Sequence, residues 1–403
     1  MKFVEIPWRA WYGDEVKELS FPDRAEIKMI EIPYRSPLEE GTYKKKFEEL
    51  PSLFKKRDCK KIIIVVDDLT RPVKLETLMN VLLTILKENG FGNTEVKILV
   101  GVGGHRPLED KDLKKKIGSH CVDNYSYFNH SPFKGLVKVP VEWKGSPVEI
   151  NRHFVEADFR IVISGLTPHS FAGFSGGAKM LIPGISNLEV IKRTHKSVLM
   201  GFMGKLGNVE NNRFRREIEA IAKQIGVDYF IGLMANANRD VVAVHCGDII
   251  EAYGSAAKEA LEYYTMDVKS GEFDVILLNA YPKDTELLQA ENAFHPLQSS
   301  TKALVRDGGM VIVADACSEK MGYHELFGTN KALYRTPMPK RFLNPYDVVY
   351  YLDNVTEDDF RQVFWNGYKF YDQWKTVYEY IEKKFPNNFR VVVFPSASMQ
   401  LVN

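Results

Sequence analysis

FRIVISGLTPHSFAGFSGGAKMLIPGISNLEVIKRTH, residues 159–195, is the stretch from which the fold of this chain is read. Residues 159–164 form a short apolar run bounded by Gly165 and Pro168, the length and punctuation of a buried strand. The loop that follows holds His169, Ser170, Gly173, Ser175, Gly176, Gly177 and Lys179, so reactive side chains are delivered at a strand's carboxyl end. Its three glycines permit positive φ and leave backbone N–H groups unshielded, which predicts a loop able to wrap an anion such as a phosphate. A Walker A loop is a rival reading, but GFSGGAKM puts Ala178 where the second glycine belongs and Met180 where a Ser or Thr belongs. Lys179 then lacks a triphosphate duty. In a partly desolvated pocket its amine can act as a nucleophile and carry a cofactor; beside a structural turn it can equally be a solvated side chain. The residues alone leave both readings open.

The same strand, polar loop, helix pattern occurs twice upstream. KIIIVV at 61–66 is the β-branched run of a strand buried on both faces; it ends in DDLTRP at 67–72, and a helix follows over 75–87. Residues 95–102 form the next strand, ending in GGHRP at 103–107 before a basic helix over 109–117. Three such loops are expected to gather at the carboxyl ends of neighbouring parallel strands, where open α/β sheets bind ligands. The pattern predicts helices at 187–200, 213–225 and 249–264 and strands at 229–234 and 241–245.

Two α/β domains with mostly parallel sheets and a cofactor cleft between them are therefore expected. Residues 1–267 form the first, with the strand-like runs 4–8 and 16–21 at its edge. After the polar stretch DVKSG at 267–271, residues 268–385 form a smaller domain with strands at 273–278 and 310–314 and a helix at 285–304. Residues 386–403 carry one more strand, 390–394, of unassigned sheet. Hinges near 265–272 and 385 are expected from this division.

A chain of 403 residues with a formal charge of +1 presents no global field for nucleic acid or membrane. The basic runs 44–46, 55–57 and 114–116 read as solvated faces. Four dispersed cysteines, Cys59, Cys121, Cys246 and Cys317, suggest buried thiols, without a disulfide framework or a zinc ribbon. No segment approaches the roughly 18 apolar residues of a membrane span, and a cytoplasmic protein is expected.

With DDLTRP, GGHRP, PHSFAGFSGGAK at 168–179 and TH at 194–195 in this order, the sequence resembles the nickel-dependent lactate racemase family. YPKD at 281–284, Gln289, DGGMVIVA at 307–314 and DQW at 372–374 extend the resemblance over nearly the whole chain. The resemblance implies an isomerase, a racemase or epimerase of a small-molecule 2-hydroxy acid. It implies a nickel-pincer nucleotide, a pyridinium mononucleotide with thioamide and thiocarboxylate arms, covalently attached to Lys179 and supplied by separate biosynthetic enzymes. His195 is the implied nickel ligand, and His105 and His169 are the implied acid/base pair. Arg71 falls on the position that binds the substrate carboxylate. Asp68, Thr70, Ser175, Gly176 and Gly177 are candidates for the nucleotide's ribose and phosphate. Phe171, Gln289 and Trp374 also match site positions, although Trp374 reads equally well as a core aromatic of its helix. One departure is chemical: the family's tyrosine and lysine around the glutamine are Leu288 and Asn292 here, which predicts a substrate with a longer or polar tail met by Asn292 or His295.

Two other readings remain at this point. An NAD-type dehydrogenase would suit the βα units, but no G-x-G-x-x-G opens a helix after the first strand. A non-catalytic carrier of the nickel nucleotide would keep the tether and need no acid/base histidines.

Overall fold

The computed structural model describes residues 1–56, 59–91, 94–199, 205–268 and 273–403. Residues 57, 200 and 269–272, which belong to a basic run, a helix end and the linker expected from the sequence, lie outside it. The chain forms two compact units, one of Tyr34–Glu262 and one of Met1–Pro33 with Tyr263–Asn403.

In the first unit six strands are ordered Val241–Gly247, Tyr229–Ala235, Phe159–Gly165, Lys61–Val66, Glu95–Val100, Ser126–Asn129. All neighbours are parallel except the pair Val241–Gly247 and Tyr229–Ala235. Five of the six residues of Lys61–Val66 are buried, as a strand covered on both faces requires. Its Ile64 lies level with Ile98 on one side and Ile161 on the other. That register sets the ends of the three strands side by side, so the loops after Val66, Val100 and Gly165 emerge together. The helices Glu76–Leu86, Asp110–Ile117, Arg213–Ile225 and Glu251–Tyr264 fall close to the expected spans.

The second unit holds another six-stranded sheet, ordered Lys369–Tyr371, Asp347–Leu352, Val305–Asp315, Phe273–Asn279, Phe389–Phe394, Ala25–Met29, with every pair parallel. Here the sequence-based division is corrected. Residues 1–33 belong with the C-terminal portion and not at an edge of the first domain, and the last long strand is internal to its sheet. The antiparallel hairpin of Lys2–Trp8 and Glu15–Phe21 buries Val4, Ile6, Trp8, Leu19 and Phe21 in the same core as Val275, Leu277 and Ile312 of the central strands. Each such side chain contributes about 1.5–3 kcal/mol on burial, which outweighs nearness in sequence. The helix expected over 285–304 is instead a 3₁₀ segment, Leu287–Phe294, followed by the short helix His295–Ser299 with Pro296 in its first turn. No described helix is long and apolar enough to cross a membrane. Cys59, Cys121 and Cys317 are buried and Cys246 is partly so, all as free thiols.

Candidate active site

Where the strand Lys61–Val66 ends, its two aspartates turn in different directions. Asp67 accepts from Gly165 N through Oδ2 at 2.7 Å and pairs through Oδ1 with Lys116 Nζ at 2.5 Å. The same ammonium donates to the Arg71 carbonyl at 2.7 Å. Lys116 is fully buried, although its place in a lysine run predicted a solvated face. Burial pushes the Asp67 carboxyl up and the Lys116 ammonium down, and their mutual attraction opposes both shifts.

Asp68 serves the next loop. Its Oδ1 accepts from Thr70 N at 3.0 Å and from Thr70 Oγ1 at 2.5 Å, closing an Asx-type turn. Its Oδ2 accepts from His105 Nδ1 at 2.7 Å. Burial alone would raise this carboxyl; the charges of His105 and Arg71 and the Thr70 hydroxyl reverse that and hold it well below the usual carboxylate range. Thr70 Oγ1 in turn accepts from Arg71 Nη1 at 3.0 Å, which orients the guanidinium. Asp68 and Thr70, expected as ribose or phosphate contacts, thus form the frame that holds His105 and Arg71.

The third loop is folded back on itself by the two-residue pairing of Pro168–His169 with Gly173–Phe174. Ser175 Oγ donates to Gly165 O at 2.7 Å and accepts from Thr167 N at 2.9 Å, so its hydroxyl braces the loop. Gly176 and Gly177 have φ of +78° and +60°, and a Cβ on Gly177 would lie 2.5 Å from the Tyr253 ring. The expected anion cradle is corrected at two donors: Ser175 N bonds Thr167 O and Gly177 N bonds the Ser164 hydroxyl. They turn inward because Arg215, buried under the loop, draws its carbonyls the other way. Arg215 donates to Gly176 O at 3.0 Å, Phe174 O at 2.6 Å and Ala172 O at 3.3 Å, and stacks on Tyr253 at 4.1 Å. Sequence reasoning missed Arg215; the signal was a charge beside Phe214 on the face of its helix that also carries Ile218 and Ile221.

Lys179, only 8% exposed, places Nζ 2.5 Å from His169 Nε2 and 5.0 Å over the Phe171 ring. Phe171 meets His169 edge-on at 4.2 Å and His195 at 6.2 Å between ring centroids. His195 sits on the helix Leu188–Leu199, and its Nδ1 donates to Ile191 O at 2.8 Å. Burial pushes its pKa down to about 4, and the nearby charges of Lys179 and His105 act in the same direction. His105, His169, Phe171, Lys179 and His195 therefore share one neighbourhood at the strand ends of the first unit. Among the described residues no group of three or more His, Cys, Asp or Glu is arranged to hold a metal by itself.

The remaining candidates lie in the second unit. Gln289 and Asn292 are partly exposed on one 3₁₀ turn, with Asn292 Nδ2 donating to Gln289 O at 2.7 Å and to Gln289 Oε1 at 2.9 Å. Of the two readings of Trp374, site position and core aromatic, the structure has the second: its Nε1 donates to Ser20 O at 2.8 Å and its ring packs edge-on against Phe21 and Tyr351. His295 is also withdrawn as a tail contact, being fully buried with Nδ1 bonded to Ser398 O at 3.0 Å.

A sequence profile for the lactate racemase N-terminal domain matches residues 12–203. The lactate racemase of Thermoanaerobacterium thermosaccharolyticum is 28% identical over 65% of this chain and 61% of its own length. That of Lactiplantibacillus plantarum is 25% identical over 70% of this chain and 66% of its own, so the chain matches a little under two thirds of both relatives. In three dimensions the fold is that of the T. thermosaccharolyticum lactate racemase apoprotein, with a TM-score of 0.74 at 22% identity over the whole of both chains. A protein from Thermotoga maritima is similar, with a TM-score of 0.70 at 20% identity over 92% of this chain and all of that one. Residues 12–203 thus match the lactate racemase N-terminal domain, and the chain as a whole shares the fold of the lactate racemase apoprotein.

Proposed function

We propose that the chain is a racemase or epimerase of a 2-hydroxy acid that works with a nickel-pincer nucleotide tethered to Lys179. The observation that carries this reading is the meeting of Lys179 with three imidazoles, His105, His169 and His195, at one set of strand ends.

The residues fit such a group. Lys179 offers an amine that is almost wholly buried, in contact with an imidazole able to accept its proton. His195 carries its proton on Nδ1, fixed by the Ile191 carbonyl, so Nε2 is the ring's basic nitrogen. Burial keeps that ring neutral at physiological pH, the form in which imidazole binds nickel. When bound, the nucleotide supplies an electrophile that takes the C2 hydrogen with its electron pair, which avoids a carbanion beside a carboxylate.

The chain's own residues do the rest. Arg71, oriented by Thr70, pairs with the substrate carboxylate, for which a planar guanidinium is suited. His105, with Nδ1 held by Asp68, takes or returns the hydroxyl proton through Nε2. His169 does the same on the other face of the planar 2-keto acid, and return of hydrogen to that face inverts C2. Phe171 packs beside His169 and Lys179 and excludes water there. With His295 buried, Asn292 is the side chain left to meet a polar tail.

The test is to co-express the protein with nickel-nucleotide biosynthetic enzymes, confirm an adduct on Lys179 by intact mass and peptide mapping, and follow single enantiomers of 2-hydroxy acids by polarimetry. Optical rotation is expected to decay at constant total hydroxy acid without added nicotinamide, and an acid with a tail longer than that of lactate is expected to turn over fastest. Keto acid formed only with added NAD would replace this reading by the dehydrogenase, and an adduct with no change in rotation would replace it by the carrier. Lactate as clearly the best substrate would overturn the tail assignment.

A further inference from the structure

The Asp67–Lys116 pair lies below the residues assigned to substrate and cofactor. Asp67 and Lys116 are 2% and 0% exposed. Such a pair is weak evidence for stability, because desolvating two charges costs about what their attraction returns, and apolar side chains of the same volume often do as well. What an apolar pair could not supply is the set of polar links made here. Lys116 Nζ reaches Asp67 Oδ1 at 2.5 Å and the Arg71 carbonyl at 2.7 Å, and Asp67 Oδ2 holds Gly165 N at 2.7 Å. The Lys116 carbonyl also accepts from Leu75 N at 2.8 Å, just past the same loop. One ammonium thus ties the last turn of the helix Asp110–Ile117 to the Asp67–Arg71 loop and, through Asp67, to the last residue of the strand Phe159–Gly165.

We propose that Lys116 is a positioning residue for substrate binding: it fixes the Arg71 backbone from beneath while Thr70 fixes the guanidinium, so the cation presented to the carboxylate is held at both ends. The proposal rests on the reading of Arg71 given above. It makes Lys116 act on affinity for the anionic substrate and leaves proton transfer by the histidines intact.

The discriminating variant is Asp67→Asn with Lys116→Met in the cofactor-loaded protein. The new amide can still accept from Gly165 N and the thioether chain fills the lysine's volume, so the buried charges are removed together, and with them the lysine's links to Asp67 and to the Arg71 carbonyl. The melting temperature is expected to fall modestly, because the two charges leave together while the new amide N–H groups and the Arg71 carbonyl lose the ammonium as partner. KM for the 2-hydroxy acid is expected to rise about tenfold, the scale of one charge-assisted hydrogen bond, with a smaller change in kcat. Lys116→Arg retains a charged donor for Asp67 and the Arg71 carbonyl and is expected to fold and raise KM less. Arg71→Ala is the reference. If it leaves KM at the parental value, the substrate reading of Arg71 fails and the proposal with it. If Arg71→Ala raises KM while the double variant, or Asp67→Asn with Lys116→Leu should the first not fold, keeps parental KM, Lys116 is purely structural and the proposal alone is overturned.

Discussion

His105 and His169 stand on the loops after the two strands that flank Lys61–Val66, yet they are held by opposite means. His105 leans on Asp68, a carboxylate fixed by Thr70, so its tautomer and ring plane are set by the protein itself. His169 touches Lys179, the amine that the proposed cofactor would consume, and is otherwise braced by the Phe171 ring and a long contact from Phe171 N. On the proposed reading one imidazole would keep its partner through the working cycle, and the other would exchange it when the tether formed. Equivalent roles on two faces of a planar intermediate would then not require equivalent scaffolds.

The largest expected effect is the loss of either imidazole. His105→Ala and His169→Ala in the loaded protein should each retain the cofactor mass on Lys179 and lose turnover by about 10²–10⁴-fold. Stopped-assay polarimetry with intact-mass control checks both halves. A variant that keeps parental turnover would remove that histidine from the proton path and break the pairing.

A smaller effect sharpens the contrast. Asp68→Asn can still accept from Thr70 and face His105, but an amide no longer enforces the Nδ1–H tautomer. A loss of about 10–100-fold in kcat is expected, as for other residues that orient a working imidazole. The melting temperature should fall only slightly. Parental kcat in Asp68→Asn would mean that the ring is oriented by something other than its carboxylate.

What could be read in advance follows the same division between local and distant causes. The three loops were legible because apolar runs end abruptly in Gly, His and Pro, and because His169, Lys179 and His195 lie within one contiguous stretch. Asp68 and Thr70 were found as candidates, but their bonds to His105 and Arg71 were not foreseen, since a motif reveals which residues matter and not which neighbours they hold. Lys116 and Arg215 were hidden for a different reason. Each sits in a helix rich in charge, and which basic residue of such a helix turns inward is chosen by a partner far away in sequence, Asp67 for one and the glycine loop for the other. The pairing of Ala25–Met29 with Phe389–Phe394 is more distant still, and the short first strand alternates buried and exposed positions like any edge strand. Trp374 illustrates the limit of motif transfer: its helix face was correctly apolar, and Ser20, Phe21 and Tyr351 supply the neighbours that make it core.

The smallest expected effect concerns pH and tests whether the metal-ligand candidate is kept neutral by burial. His195 and His130 are both pushed down to about 4 by burial, and His295 to about 3. In the unfolded chain each would titrate near its ordinary value of about 6.5. Above that pH neither state binds the proton and the three rings are neutral with respect to stability. As pH falls from about 6.5 toward 4 the unfolded chain takes up protons that the folded chain refuses, so stability is lost progressively across that window. Carboxylates held low, Asp68 among them, add their own loss only at more acidic pH, below about 4. The melting temperature of the cofactor-free protein should therefore begin to drop near pH 6.5, before the carboxylates held low are protonated. His130→Gln should flatten part of that slope, since the amide can still donate to the Ser186 carbonyl without carrying a proton to lose. His195→Gln should flatten another part and also abolish nickel retention while leaving the Lys179 adduct in place, a mass and metal-content measurement that separates the ligand from the tether. A melting temperature flat from pH 7 to pH 5 would show that these rings charge without cost in the folded protein, and the argument for a neutral, metal-ready His195 would go with it.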